Sequence, residues 1–119
     1  MTNLLYFKDH EFNCKHTGKN EMDPEFLEEL DELRRRVGVP FVVTSGYRDA
    51  THPAETAKDK PGTHNQGIAV DIRCLSSQFR YSVIKNALAM GFKGIGIGDT
   101  FIHLDKRRTE HPVMWVYGA

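Results

Sequence analysis

Residues 94–105, GIGIGDTFIHLD, alternate apolar with small or polar positions on both sides of a Gly-Asp-Thr step. A period of two belongs to strands with one buried face. The segment therefore reads as a hairpin, with strands GIGIG and FIHLD and Gly98-Asp99-Thr100 at or near its turn. Ile102 and Leu104 must be covered by another layer, and Phe101, His103 and Asp105 fall on the opposite face. The run IAVDI, residues 68–72, repeats the pattern: Ile68, Val70 and Ile72 share one face, while Gly67, Ala69 and Asp71 share the other.

Two helices can supply the covering layer. In DPEFLEELDELRRRVGVP, Asp23 can cap and Pro24 suits the first helical position. Phe26, Leu27, Leu30, Leu33 and Val37 form one stripe, acidic residues crowd the start, and Arg34, Arg35 and Arg36 sit at the end, as the helix dipole favours. Gly38 and Pro40 stop the helix. The second, SSQFRYSVIKNALAMG, has Phe79, Val83, Ala87 and Met90 as its inner stripe and Gly91 at its end. FVVTSGYR reads as a short buried strand entering a turn. DATHPAETAKDKPG reads as a polar loop broken by Pro53, Pro61 and Gly62. Without regular βαβ alternation, the order favours an α+β fold, a mainly antiparallel sheet flanked by helices. A chain of 119 residues fits one domain, residues 1–119.

Lys+Arg and Asp+Glu are both 16, so no net field draws nucleic acid to the chain. The runs Arg34-Arg35-Arg36 and Lys106-Arg107-Arg108 read as solvated charge. Cys14 and Cys74 lack zinc-ribbon spacing and are expected to be free and partly buried. The opening MTNLLYFKDHEF has too short an apolar run for a signal peptide or a membrane helix. The expectation is a monomer made in the cytoplasm that engages no membrane.

If the two strand pairs are neighbours, His64, Asp71 and His103 converge. Two imidazoles and a carboxylate, with a fourth position open, are the composition of a catalytic zinc site. A loop histidine, a turn-capping aspartate and a sheet histidine would give the same spelling, so spacing alone leaves both readings open.

The segment HNQGIAVD, residues 64–71, is similar to the H-x-x-G-x-A-x-D signature of the zinc D-Ala-D-Ala carboxypeptidase family, which shares a fold with the hedgehog signalling domain. SGYR, residues 45–48, resembles the family's upstream arginine motif, and GIGIGDTFIHLD its last ligand segment. EFNCKHTG and LDELRRRVGVPFVVTSGYR resemble the opening of small bacterial and phage members. The resemblance implies a zinc peptidase acting on peptidoglycan stem peptides, with His64, Asp71 and His103 as metal ligands. It implies a substrate-facing set of Ser45, Tyr47, Arg48 and Thr63, in which Arg48 polarises the scissile carbonyl. It also implies action on the cell wall, as in a phage or prophage enzyme.

The sequence leaves the family pattern in two places. Gly62 stands where many members carry Ser, two residues before the first ligand. Thr100 and Phe101 stand where relatives carry the general base. Asp105, on the face of His103, is the first candidate base. Asp99, at the hairpin, is the second. His52, in the polar loop, is a further candidate for substrate contact.

Overall fold

The computed structural model describes residues 4–56, 58, 60 and 62–118, so Pro61 lies outside the described residues. The two period-two segments form the middle of a five-stranded sheet. Its strands are β1 (Val43–Ser45), β2 (Ala69–Arg73), β3 (Gly94–Ile97), β4 (Phe101–Asp105) and β5 (Val113–Val116), in the order β1-β2-β4-β3-β5. All pairs are antiparallel except β3 with β5. β2 and β4 are direct neighbours, with Asp71 opposite His103 and Ile72 opposite Ile102. The polar faces of the two segments are therefore one surface.

Helix α1 spans Pro24–Val37, α2 spans Pro53–Thr56 and α3 spans Ser77–Ala89. The Asp23 side chain accepts from the Phe26 N–H, and Gly38 closes α1 in the left-handed conformation at φ 82. Ser76 caps α3 in the same way through the Phe79 N–H. Leu27, Leu30, Leu33, Val83 and Ala87 from the helices form one buried cluster with Val70, Ile72, Ile95, Ile102 and Leu104 from the sheet. Each fully buried aliphatic side chain contributes about 1.5–3 kcal/mol, so this face fixes the register of every strand. A slip of one residue would put Asp71 and His103 into the cluster.

Four features differ from the sequence expectation. The polar loop folds into the short helix α2, because the buried Glu55 carboxylate accepts from the Gly62 N–H (3.0 Å) and pairs with Lys58. Of FVVTSGYR, only Val43–Ser45 joins the sheet, through an irregular register against β2. Strand β5 was not expected at all: VMWV is too short to show a period and packs on β3 only in parallel. Cys14 and Cys74 are free, and both are fully rather than partly buried. Among the described residues, no helix is long and apolar enough to cross a membrane.

Candidate metal centre

His64 lies in the turn that leads into β2, Asp71 in the middle of β2 and His103 in the middle of β4. Gly67 completes that turn at φ +77, where a side chain would strike the Glu21 carbonyl. Candidate ligand atoms of His64, Asp71 and His103 all lie within 4.8 Å of one another. Asp71 Oδ1 faces both imidazoles, at 3.3 Å from His64 Nε2 and 3.0 Å from His103 Nδ1.

The far side of each ring is already engaged. His64 Nδ1 donates to the Gly46 carbonyl at 2.8 Å, which leaves the Nε2 lone pair facing inward. His103 Nε2 donates to Asp105 Oδ2 at 2.7 Å, which leaves Nδ1 facing inward. These are the partners that metal-ligating histidines need to fix their tautomers. Burial alone would raise the Asp71 carboxyl. When a proton rather than a metal occupies the inward nitrogens, hydrogen bonds from His103 and His64, with their positive field, outweigh it and hold the group well below the usual carboxylate range. Burial likewise lowers His103, but its bonds to Asp105 and Asp71 reverse the sign and raise it. A buried carboxylate held ionised, with the inward nitrogens of two imidazoles beside it, is a donor set suited to a cation. Two nitrogens and one oxygen are a donor set that fits zinc.

Arg48 sits on the other oxygen of Asp71. Its terminal nitrogen is 3.4 Å from Asp71 Oδ2, and its Nε donates to Ser45 Oγ at 3.2 Å. The Arg48 backbone is held by the His64 carbonyl and by Asn65. A guanidinium so anchored keeps donors for an oxyanion beside the ligand set. Thr63 is half-buried next to His64. Ser45 holds Arg48 and lines a cleft of about 390 Å³ with Thr44, Asp71, Arg73, Leu75, Thr100 and Phe101. A larger groove, of about 540 Å³, lies on α3, and none of the three ligand residues lines it.

Tyr47 is placed differently from the expectation. It is buried in the core, and its hydroxyl donates to Glu21 at 3.0 Å, so it braces the arginine turn and does not face a substrate. His52 has its Nδ1 taken by the Ala54 N–H, and its ring stacks edge-on with His16. Burial and the Arg48 charge hold its imidazole below its ordinary value.

Asp105 and Asp99 are the two candidate bases. Asp105 is completely buried. Oδ2 accepts from His103 and from the Arg107 terminal nitrogen, both at 2.7 Å, and Oδ1 accepts from Arg107 N (2.9 Å) and Nε (3.0 Å). Every lone pair is committed on the far side of the imidazole, so Asp105 orients His103 and is not placed to take a proton from a reacting water. Asp99 stands exposed at the hairpin tip, where its carbonyl accepts from Arg80, and is not brought to the ligand set.

Sequence reasoning missed two contributors. Arg107 was read as solvated charge, yet it clamps Asp105 and stacks on Trp115 at 5.0 Å. Trp115, from β5, packs its ring 5.2 Å from that of His103. Both depend on the bare face of β3. A side chain at Gly94 would collide with the Asp105 carboxylate, and one at Gly96 would stand 2.7 Å from the Trp115 ring. The alternation of glycine in GIGIG was the available signal.

The family model described as Peptidase M15 matches residues 5–105, which includes all three candidate ligand residues. No curated protein matches the chain.

Proposed function

Because the chain belongs to the peptidase M15 family, a family of zinc-dependent peptidases acting on peptidoglycan, we propose that it hydrolyses stem peptides containing D-amino acids. The observation that carries this reading is the convergence of His64, Asp71 and His103 on one point, with Arg48 on the free oxygen of Asp71. Zinc in such a site supplies Lewis acidity and acidifies water. Arg48 binds the carbonyl oxygen of the scissile amide and stabilises the charge that develops there. Asp105 and the Gly46 carbonyl keep the two imidazoles in one tautomer and orientation. Trp115 packs against the His103 ring and keeps solvent off it. We assign the reaction to the class of D,D-carboxypeptidase, D,D-endopeptidase or L-alanyl-D-glutamate endopeptidase, carried out by a monomer at the cell wall, as in a phage or prophage lytic enzyme.

One observation favours a second reading. Among the described residues, the only carboxylates bonded to the ligand imidazoles are Asp71 and the fully committed Asp105. A non-catalytic zinc-containing binding domain of the same fold needs no base and would look the same here. A third reading, a structural phage protein with a decayed site, requires no bound zinc.

Digestion of purified peptidoglycan with zinc-loaded protein, followed by mass mapping of the fragments, separates these. New termini at one peptide bond, absent with His64→Ala, are expected. Zinc retention with intact peptidoglycan refutes hydrolysis and leaves the binding domain. Protein that takes up no zinc refutes both.

A further inference from the structure

Arg73 is the one cation in the wall of the cleft that the mechanism above does not use. It lies two residues beyond Asp71 on β2, so the two side chains share the polar face about 7 Å apart. It is exposed, and it stands opposite Phe101 in the register. Its side chain makes no hydrogen bond or ion pair among the described residues. The other arginines of the polar face are committed, Arg48 to Ser45 and Asp71 and Arg107 to Asp105. The cleft floor carries Ser45 and Asp71 at the metal end, and Arg73, Leu75, Thr100 and Phe101 at the other. No acidic side chain lies within ion-pair distance of Arg73 among the described residues.

The geometry points to Arg73 as a specificity-determining residue that binds a substrate carboxylate one or two residues away from the scissile carbonyl. One residue of extended peptide spans about 3.3–3.6 Å, so a carbonyl at Asp71 and Arg48 puts such a carboxylate over Arg73. A planar guanidinium with all its donors free suits a carboxylate better than any neutral group. Phe101 and Leu75 give the intervening residue an apolar floor. The inference rests on the peptidase reading and narrows its substrate. In a stem peptide the carboxylate has two sources, the free C-terminus or the α-carboxylate of a γ-linked D-glutamate, and the same chemistry serves both.

Two pairs of peptides test this, one with the C-terminus free or amidated, the other with the glutamate α-carboxylate free or amidated. Affinity is measured by calorimetry on wild type, Arg73→Ala and Arg73→Lys, alongside cleavage and zinc content. Wild type is expected to bind the acid form of one pair about ten- to a hundredfold more tightly than the amide, the scale of a charge-assisted hydrogen bond. That pair identifies the source. Arg73→Ala should bind acid and amide alike at full zinc content, and Arg73→Lys should restore only part of the difference. The inference is overturned if wild type does not distinguish acid from amide in either pair, or if Arg73→Ala weakens both forms equally. Discrimination in binding without cleavage refutes hydrolysis and keeps the subsite. Cleavage without discrimination does the reverse.

Discussion

Replacing Asp105 by Asn changes one oxygen to an NH₂ group and leaves the shape intact. The cost follows from the donor count around the carboxylate. Oδ2 receives His103 Nε2 and the Arg107 terminal nitrogen, and Oδ1 receives the Arg107 backbone N–H and Nε. An asparagine has one acceptor oxygen. Whichever way its amide turns, the NH₂ faces two N–H donors. At about 1–3 kcal/mol for each buried donor left unmatched, and with the Arg107 side chain 27% exposed and so able to reach water, about 2–4 kcal/mol of stability should be lost. If the NH₂ faces His103, the ring must also donate from Nδ1 or rotate, and the lone pair aimed at Asp71 is lost. Loss of such an orienting partner typically lowers metal affinity by about 10–100-fold. The assay is zinc affinity by chelator competition, with thermal unfolding of the zinc-free protein measured in parallel. An Asp105→Asn protein that binds zinc as tightly as wild type, unfolds at the same temperature and yet turns over no substrate would refute the orienting role and restore Asp105 as the base. Asp105 is held well below the usual carboxylate range: burial opposes its ionisation, but His103 and Arg107 outweigh it. Its stabilising share is therefore fully present above the unfolded pKa near 4 and is lost as pH falls through the folded value. The Asn variant should lack that acid-side loss.

Arg48→Ala should keep zinc and fold but lower kcat by about 10²-fold or more, the scale of one oxyanion donor, and Arg48→Lys should not restore the rate; unchanged turnover in Arg48→Ala would remove the arginine from the mechanism. His64→Ala and His103→Ala should each lose most of the metal by elemental analysis, whereas His10→Ala, His16→Ala and His111→Ala should retain it; equal zinc content across the set would refute the ligand assignment. Gly96→Ala should push Trp115, the only tryptophan, off His103, at about 1–3 kcal/mol for an overpacked contact, and an unchanged tryptophan emission spectrum would refute the close approach. Tyr47, pushed up to about 12 by burial and by the Glu21 carboxylate, should titrate late in an ultraviolet difference titration against Tyr47→Phe; its share of stability holds below about pH 10 and falls as pH rises toward 12, and a phenol that ionises near 10 would refute its burial.

The parts of this protein that were legible in its sequence are those in which one residue's role is set by its own neighbours in the chain. Asp23, Pro24 and Gly38 bound α1 because caps and stops are local chemistry. Ile102 and Leu104 face inward because the period of two is local geometry. The candidate ligand triad was within reach because two such periods, each with polar residues on its outer face, needed only to be adjacent. What the sequence hid depends on which strand lies beside which. Asp105 looked like a free carboxylate because nothing in FIHLD shows that the chain doubles back two residues later to place Arg107 on it. Tyr47 looked like part of a substrate motif because the residue that takes its hydroxyl, Glu21, is 26 positions away.

The glycines of β3 make the same point in the opposite direction. In the sequence, GIGIG is a weak strand, since glycine lowers strand stability and packs nothing. In the sheet, β3 lies between β4 and β5, and its bare face is the space into which Asp105 and Trp115 lean from either side. Residues from strands two positions apart in the sheet can then meet over His103, which ordinary side chains on β3 would prevent. The cost in strand propensity is offset by Arg107, which ties the two together by holding the Asp105 carboxylate while stacking on the Trp115 ring. It follows that Gly94 and Gly96 belong to the candidate metal centre as much as its candidate ligands do, although neither offers it an atom.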